Sequence, residues 1–540
     1  MNSLTSSIQN QEDAAKISTS QEDLAIFSVG STENTDSDNN AEAAEDIRQS
    51  AGANATEKCG SACTASNNMN PPEPLKKASV RDIDLSHDAL AQRMGQLAFD
   101  RVARYVAAQK QWYFWDDDHG RWFLDTQQTH LSHTREFLRK EAKDLVNRAL
   151  IEARAMKQDK AAKLIIWAKK EARNLKNRST IDAVASLVAT NSMSVAQSDH
   201  FDRDPLLLGT PGLTVDLRTG TIALARPEDL ITKCTACAPG PEGAEPSLWL
   251  KFLNRAFDGD QNVITFLQRL CGYSATGLTT EHKFFFLYGS GRNGKSVFLD
   301  TLRWLFGDYA TTTDSSLLMA SRNEQHPTGL AKLQGARLAV ASEIPRNATW
   351  NEARLKDLTG GEVLSARVMR GDFFDFKPQL TLMIAGNDKP RLNGVDTAMR
   401  ARMVLVPFNV TIPEEERDPN LADKLKAEGP AILRWAIEGA IQWQNCGLAV
   451  PSALRAASVE YLDDEDTLKA FLEENTFQDQ KAKVRTQELY EHYRIWCQRQ
   501  GIEADKRKSF VQDLSKQGFS QVQRNTGMTI PGLQMIEEKA

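Results

Sequence analysis

Apolar positions recur at every third or fourth residue through much of residues 85–200. Leu90, Met94, Leu97 and Val102 keep near-helical spacing, and 134–175 is a long, charged, amphipathic stretch. The pattern predicts a mainly helical region. It is interrupted by WYFWDDDHGRWFLD (112–125), where aromatic runs flank an acidic turn. A β-hairpin is expected there, with Trp112, Trp115 and Trp122 as its core rather than as a base-stacking surface. Residues 201–245 are loop-rich, with short strands around GLTVDLRTGTIAL (212–224), and helical spacing resumes at Trp249.

Beyond this point short continuous apolar runs alternate with helices. Phe284 to Tyr288, Arg337 to Ala341, Leu380 to Ala385 and MVLVPF (403–408) are of strand length and suit a sheet buried on both faces. VLSARVMRGDFFDFKP (363–378) predicts a hairpin around Gly371-Asp372, and 414–447 is helical again. An acidic linker is expected at 457–467. The chain closes with helices near 486–500 and 505–517, then FSQVQRNTGMTIPGL (519–533), a strand–turn–strand. Two helices followed by a hairpin is the order of a winged helix.

Charge changes this picture at one end. The 540 residues carry a net charge of −6, yet residues 1–80 hold 12 Asp/Glu against 5 Lys/Arg, a balance of −7. The remainder is therefore near +1. The first segment is rich in Ser, Asn, Thr, Ala and Gln, which predicts disorder. A near-neutral body confines any nucleic-acid surface to a local channel. Nothing approaches 18 consecutive apolar residues, so no membrane span is expected. Seven unevenly spaced cysteines, with no signal-peptide pattern, predict free thiols in a reducing cytoplasm. Neither Cys234-x-x-Cys237 nor Cys59-x-x-x-Cys63 has the second pair a zinc site wants.

The candidate chemistry is concentrated in FFFLYGSGRNGKSVFLDTLRWLFG (284–307). Gly289, Gly291 and Gly294 satisfy G-x-G-x-x-G, while Gly289, Ser290, Gly291, Arg292, Asn293, Gly294, Lys295 and Ser296 satisfy G-x-x-x-x-G-K-[ST]. An apolar strand precedes the loop, and Phe298, Leu302 and Leu305 give a helix after it. Backbone N–H groups and a helix N-terminus then converge on phosphate. Lys295 and Ser296 decide between the two motifs: they supply a cation for β/γ-phosphates and a hydroxyl for Mg²⁺, and a dinucleotide needs neither. The loop reads as a P-loop binding ATP with Mg²⁺. Just past the next apolar strand, Glu343 can orient water or hold Mg²⁺ through water, although Ser342 stands where a paired acid is usual. Asn387 tips the following strand, where an amide can sense the γ-phosphate or hold the attacking water. Arg400 and Arg402 precede the last strand as arginine-finger candidates. Arg367, Arg370 and Lys377 surround the hairpin turn and Lys389 follows Asn387, a set able to grip DNA phosphates without reading sequence.

In this order the motifs resemble those of the phage/plasmid primase–helicase family, whose ATPase belongs to the superfamily 3 helicases. The similar stretches are FDRDPLLLGTPGLTVDLRTG (201–220), FLQRLCGYSATGLTTEHKFFFLYGSGRNGKS (266–296), LAKLQGARLAVASEI (330–344), LKDLTGGEVLSARVM (355–369), FKPQLTLMIAGNDKPRL (376–392) and DTAMRARMVLVPF (396–408). The resemblance implies an α/β fold, with an AAA-like P-loop NTPase core between an N-terminal helical domain and a C-terminal winged-helix domain. It implies a homo-hexameric ring translocating on single-stranded or forked DNA in a phage, plasmid or integrated element, within a bacterial host's cytoplasm. Gly289–Ser296 would be the A motif, Glu343 the B motif, 355–378 the B′ motif with its DNA-facing hairpin, and Asn387 the C motif. An arginine at 400–402 would act in trans. Glu362 stands where the family often has Asp, and Arg-Ala-Arg replaces an Arg-Arg doublet. Residues 1–80 are too short and polar for a primase domain, so a separate primase or initiator is the expected partner. Two rivals share these features: an initiator or loader that remodels origin DNA without processive unwinding, and a packaging or small-molecule P-loop enzyme. The expected organisation is 1–80 disordered, 81–200 helical, 201–248 connector, 249–410 ATPase, 411–456 helical lid and 457–540 winged helix.

Overall fold

Five parallel strands, all but one of them mostly apolar and buried, form one sheet. The computed structural model describes residues 79–321, 328–369, 371–392, 396–501, 504–524 and 527–536. Residues 1–78 of the acidic N-terminal segment and Arg370 lie outside them. Ser79 and Val80, expected to be disordered with that segment, are instead ordered, with Ser79 capping a short 3-10 turn and Val80 buried in it. The fold is mixed α/β.

After a 3-10 turn (Val80–Asp82) the N-terminal part has α1 (His87–Met94), a π-helical turn (Gly95–Phe99), and strands β1 (Ala103–Val106), β2 (Gln111–Asp116) and β3 (Arg121–Leu124). Helices α2 (Thr129–Ala153), α3 (Gln158–Asn174) and α4 (Arg178–Val188) follow, then the short β4 (Val195–Ala196). The sheet order is β3-β2-β1-β4, so the hairpin at 112–125 is extended by strands on one side. Leu90, Met94, Phe99, Trp112, Phe114 and Leu138 share one core. Leu97, expected on the helix's apolar face, is 74% exposed, because the π-helical turn rotates it off the α1 stripe. A three-stranded antiparallel meander, β5 (Leu207–Thr210), β6 (Leu213–Asp216) and β7 (Thr221–Leu224), leads to α5 (Ser247–Ala256) and α6 (Gln261–Ala275).

The central sheet comprises β8 (Phe284–Tyr288), β9 (Ala310–Thr312), β10 (Leu338–Ala341), β13 (Thr381–Gly386) and β14 (Met403–Pro407), in the order β14-β8-β13-β10-β9. Between them lie α7 (Lys295–Leu305), the single turn α8 (Thr328–Ala331), α9 (Glu352–Gly360), the hairpin β11 (Leu364–Arg367) and β12 (Phe373–Phe376), and α10 (Thr397–Arg402). Alternation along β8 divides the core into two layers. Phe285 and Leu287 join a cluster with Trp249, Phe298 and Leu433. Phe284 and Phe286 face Trp350, Leu355 and Tyr461 on the other side.

Helices α11 (Leu421–Ala427), α12 (Gly429–Cys446), α13 (Ser452–Asp464) and α14 (Thr467–Asn475) follow the sheet. The segment expected as an acidic linker, 457–467, is instead the end of α13 and the start of α14. Its carboxylates are taken up in tertiary contacts: Asp463 accepts from Arg400 at 2.7 Å and from Lys469 at 2.8 Å. The C-terminal part contains β15 (Thr476–Arg485), α15 (Thr486–Arg499), α16 (Arg507–Lys516), β16 (Val522–Arg524) and β17 (Gly527–Met535). Its sheet order is β15-β17-β16 around a core of Leu489, Tyr493, Phe510 and Ile530. The strand β15 was not expected. In TFQDQKAKVR only Thr476 and Val484 are buried, so no alternating apolar signal marks it.

Candidate functional site

The turn between β8 and α7 is shaped by its glycines. Gly294 sits at φ +92°, and a Cβ on Gly289 would lie 2.2 Å from the Asn293 amide nitrogen and 2.5 Å from the Phe408 carbonyl oxygen. Only residues without a Cβ allow the loop to close this tightly. Asn293 is buried and braces the loop, its Nδ2 donating to Phe408 O at 2.9 Å. Lys295, the first residue of α7, is 6% exposed. Its Nζ donates to Gly289 O at 2.7 Å and to Asn293 Oδ1 at 3.1 Å. Burial holds the ammonium below the ordinary lysine pKa. Ser296, next along the helix, is exposed.

The loops at the carboxyl ends of β8, β10 and β13 share one cavity of about 720 Å³. Ser290, Lys295, Ser296, Glu343 and Asn387 all line it. Open parallel sheets bind ligands at this edge. Glu343 is exposed and adopts φ +61°, a left-handed conformation that is costly for a residue with a Cβ. Ser315 Oγ donates to its carbonyl at 3.2 Å, which helps fix the turn. Glu343 thus lines the cavity at the sheet edge from a fixed turn.

Asp300, Arg303, Arg346 and Asp388 also line the cavity and were not singled out in the sequence. Asp300 and Arg303 form an ion pair at 3.1 Å, and Arg303 also donates to Thr312 at 3.2 Å. A signal existed for both. Asp300 is one helical turn beyond Ser296, and Arg303 one turn further on the same side of α7. Arg346 and Asp388 approach to 3.8 Å from two different strand-end loops. Among the described residues no group of three or more His, Cys, Asp or Glu gathers as a metal site.

Arg400 and Arg402 lie elsewhere. Their helix α10 feeds the amino end of β14, which runs parallel to β8, so both sit at the opposite edge of the sheet. Arg400 pairs with Asp463 at 2.7 Å and Asp466 at 3.3 Å. Arg402 is half-buried: Nη1 donates to Ala398 O at 3.3 Å, and its buried Nε has no hydrogen-bond partner.

The hairpin β11–β12 stands apart as its own two-stranded sheet. Arg367 and Lys377 are exposed at its two ends. Arg367 Nε donates to Gly371 O at 2.8 Å, and its guanidinium lies 5.2 Å from the Phe373 ring centre. The tip is also apolar, since Met369 is 76% and Phe373 62% exposed. Lys389 is engaged differently, half-buried over the rings of Tyr288 and Tyr461 at 5.3 and 5.2 Å.

Two family models match the chain: "D5 N terminal like" over residues 88–258, and a family of unknown function (DUF5906) over 287–402. "Putative helicase L207/L206" of Acanthamoeba polyphaga mimivirus is 23% identical over 321 residues, which cover 55% of this chain and 33% of that protein. "Putative helicase 022R" of Frog virus 3 is 24% identical over 282 residues, 48% of this chain and 29% of that one. The chain spans about a third of the length of these curated relatives. Among solved structures, the C-terminal region of NrS-1 matches with a TM-score of 0.44 and 12% identity, covering 80% of this chain and 95% of that one. The resemblance drawn from the motifs is borne out by the family and curated matches. A bacterial host is not supported, because these relatives come from viruses of eukaryotes. No helix among the described residues is long and apolar enough to cross a membrane.

Proposed function

We propose that this member of the phage/plasmid primase–helicase family is an ATP-driven DNA helicase of superfamily 3, working as a homo-hexameric ring in the replication of a virus or other mobile element. The observation that carries the reading is the single cavity holding Lys295, Ser296, Glu343 and Asn387. The glycine loop and the N-terminus of α7 suit a triphosphate, and the sheet order suits an AAA-like P-loop core. Lys295 is held by carbonyl groups of its own loop, poised to exchange them for phosphate oxygens. Ser296 and Glu343 would hold Mg²⁺, Glu343 through water. ATP supplies the phosphoryl group whose transfer drives translocation. Glu343 orients the attacking water and Asn387 senses the terminal phosphate. Arg402 reaches the neighbouring subunit's nucleotide from the far edge of the sheet, which a ring permits and a lone chain does not.

The hairpin β11–β12 enters the ring's pore, where Arg367 and Lys377 meet phosphates and the exposed Phe373 and Met369 meet bases. The C-terminal helices and hairpin form the winged-helix domain, a surface for DNA or for a separate primase or initiator. The test is ATP hydrolysis by the purified chain with and without single-stranded DNA. Stimulation supports the reading, and hydrolysis indifferent to DNA contradicts it.

A further inference from the structure

A second site with a clear chemical preference lies outside the ATPase core, in the N-terminal helices. Residues 127–182 hold 14 Lys/Arg against 7 Asp/Glu, a balance of +7 in a chain whose net charge is −6. Such asymmetry points to a polyanionic partner. Part of this charge converges on a cleft of about 540 Å³ between the first half of α2 and the turn joining α3 to α4. Arg135 and Arg139 reach it from α2, Lys176 from the α3–α4 turn and Arg178 from the start of α4, with Asp182 as its one carboxylate.

The partners of these cations are informative. Arg178 has Asp182 at 3.4 Å, and its side chain is 95% exposed. Arg135, Arg139 and Lys176 are exposed and have no ion-pair partner among the described residues. Arg135 and Arg139 are one helical turn apart, where like charges repel. A solvated face usually relieves such pairs with interspersed acids. Glu136 stands between them in the sequence but pairs with neither among the described residues, and Lys176 and Arg178 face them across the cleft. The buried Leu138 sets an apolar floor, and Gln128 and Ser132 add neutral hydrogen-bonding groups at the rim. Cations on two walls, uncharged donors at the rim and no base-sized aromatic surface suit phosphodiester groups more than bases.

We propose that this cleft binds the phosphodiester backbone of DNA, giving the molecule a sequence-independent contact separate from the hairpin β11–β12. The site holds the strand before or after it passes the ATPase core and raises its local concentration there. Neutralisation of phosphates depends on the charge rather than on the fork of the guanidinium, so lysine can replace arginine in this contact.

This inference rests on the DNA reading of the molecule, and the experiment keeps the two apart. The full chain and the variant Arg135→Gln/Arg139→Gln/Lys176→Gln are compared by fluorescence anisotropy, with a single-stranded oligonucleotide and with a blunt duplex, across a salt series. Loss of three phosphate contacts flattens the log–log salt slope by up to about 2 for a single strand, or about 2.7 for a duplex, with affinity falling about tenfold or more at low salt. The arm that shows the change identifies the form of DNA held. Basal ATP hydrolysis without DNA stays at the wild-type rate, and Arg135→Lys/Arg139→Lys retains the slope. An unchanged slope in the glutamine variant, beside a wild type that binds DNA and an Arg367→Ala variant that binds it less, overturns the cleft alone. A wild type with no salt-dependent DNA binding overturns both readings. Should the triple variant fail to fold, Lys176→Gln alone must still flatten the slope by up to about 0.7 to 0.9.

Discussion

The Lys295 ammonium lies 2.7 Å from the carbonyl oxygen of Gly289, so the cation of the glycine loop is held by the backbone of the loop it serves. The contact keeps a buried charge solvated by a dipole until something more negative arrives. Its chemistry is therefore separable from its contribution to the fold. Lys295→Ala should lower ATP hydrolysis by at least about 10²-fold, the scale for losing one preorganised electrostatic contact. Leaving Gly289 O without its donor should cost about 1–3 kcal/mol of stability. Phosphate release and thermal melting check the two parts. Wild-type hydrolysis in this variant would remove the loop from the mechanism.

Glu343 allows a sharper separation, because its φ of +61° is strained for any residue but glycine. Glu343→Gly should raise stability by about 0.5–1 kcal/mol through relief of that strain, while hydrolysis falls steeply with the carboxylate gone. Glu343→Gln should bind ATP and hydrolyse it poorly. A glycine variant that is both less stable and fully active would reverse the assignment.

The two arginines of α10 should behave differently. Arg400 bridges to Asp463 and Asp466, whereas Arg402 makes one weak backbone contact and keeps a buried Nε unpartnered. Arg400→Ala should therefore lose about 1 kcal/mol of stability, the upper range for a half-exposed ion pair. Arg402→Ala should melt near the wild-type temperature, bind ATP, and lose about 10³-fold or more in hydrolysis, as expected of an arginine finger. Full activity in the Arg400→Ala/Arg402→Ala double variant would rule out a finger at either position.

How much of this was visible beforehand depended on the range of the forces involved. Glu343 and Asn387 were legible because each follows a short apolar run, and strand ends at one edge of a parallel sheet must converge. Asp388 and Arg346 stand within a few residues of them, yet their approach depends on loop geometry that spacing does not encode. Arg400's partners lie 63 and 66 residues away, so its role as a salt bridge is a tertiary fact. Strand β15 carries no period-2 signal because Phe477 is exposed and only Thr476 and Val484 are buried, so its place is set by pairing with β17 rather than by an apolar face. Leu97 departs from the apolar stripe because the 3.6-residue period of α1 does not continue through the π-helical turn at Gly95–Phe99.

Acid should loosen the N-terminal part through Asp125. Burial pushes its carboxyl up, but the His130 ring at 2.7 Å and the backbone N–H groups of Thr129 and His130 outweigh that, holding it at about 2. A carboxyl depressed below its unfolded value stabilises the fold above that value, and the contribution is lost as pH falls from about 4 towards 2. Asp125→Asn should melt below the wild type at pH 7, and the gap should narrow between pH 5 and pH 3. A gap independent of pH would show that geometry rather than charge holds this turn.

Strand displacement from a forked DNA by the purified chain is the most direct test of the central claim. The account predicts unwinding that requires hydrolysable ATP and Mg²⁺, with none from Lys295→Ala protein at equal concentration. ATP hydrolysis stimulated by single-stranded DNA without separation of the fork, under conditions where the chain forms rings, would contradict a helicase and leave a remodelling ATPase in its place.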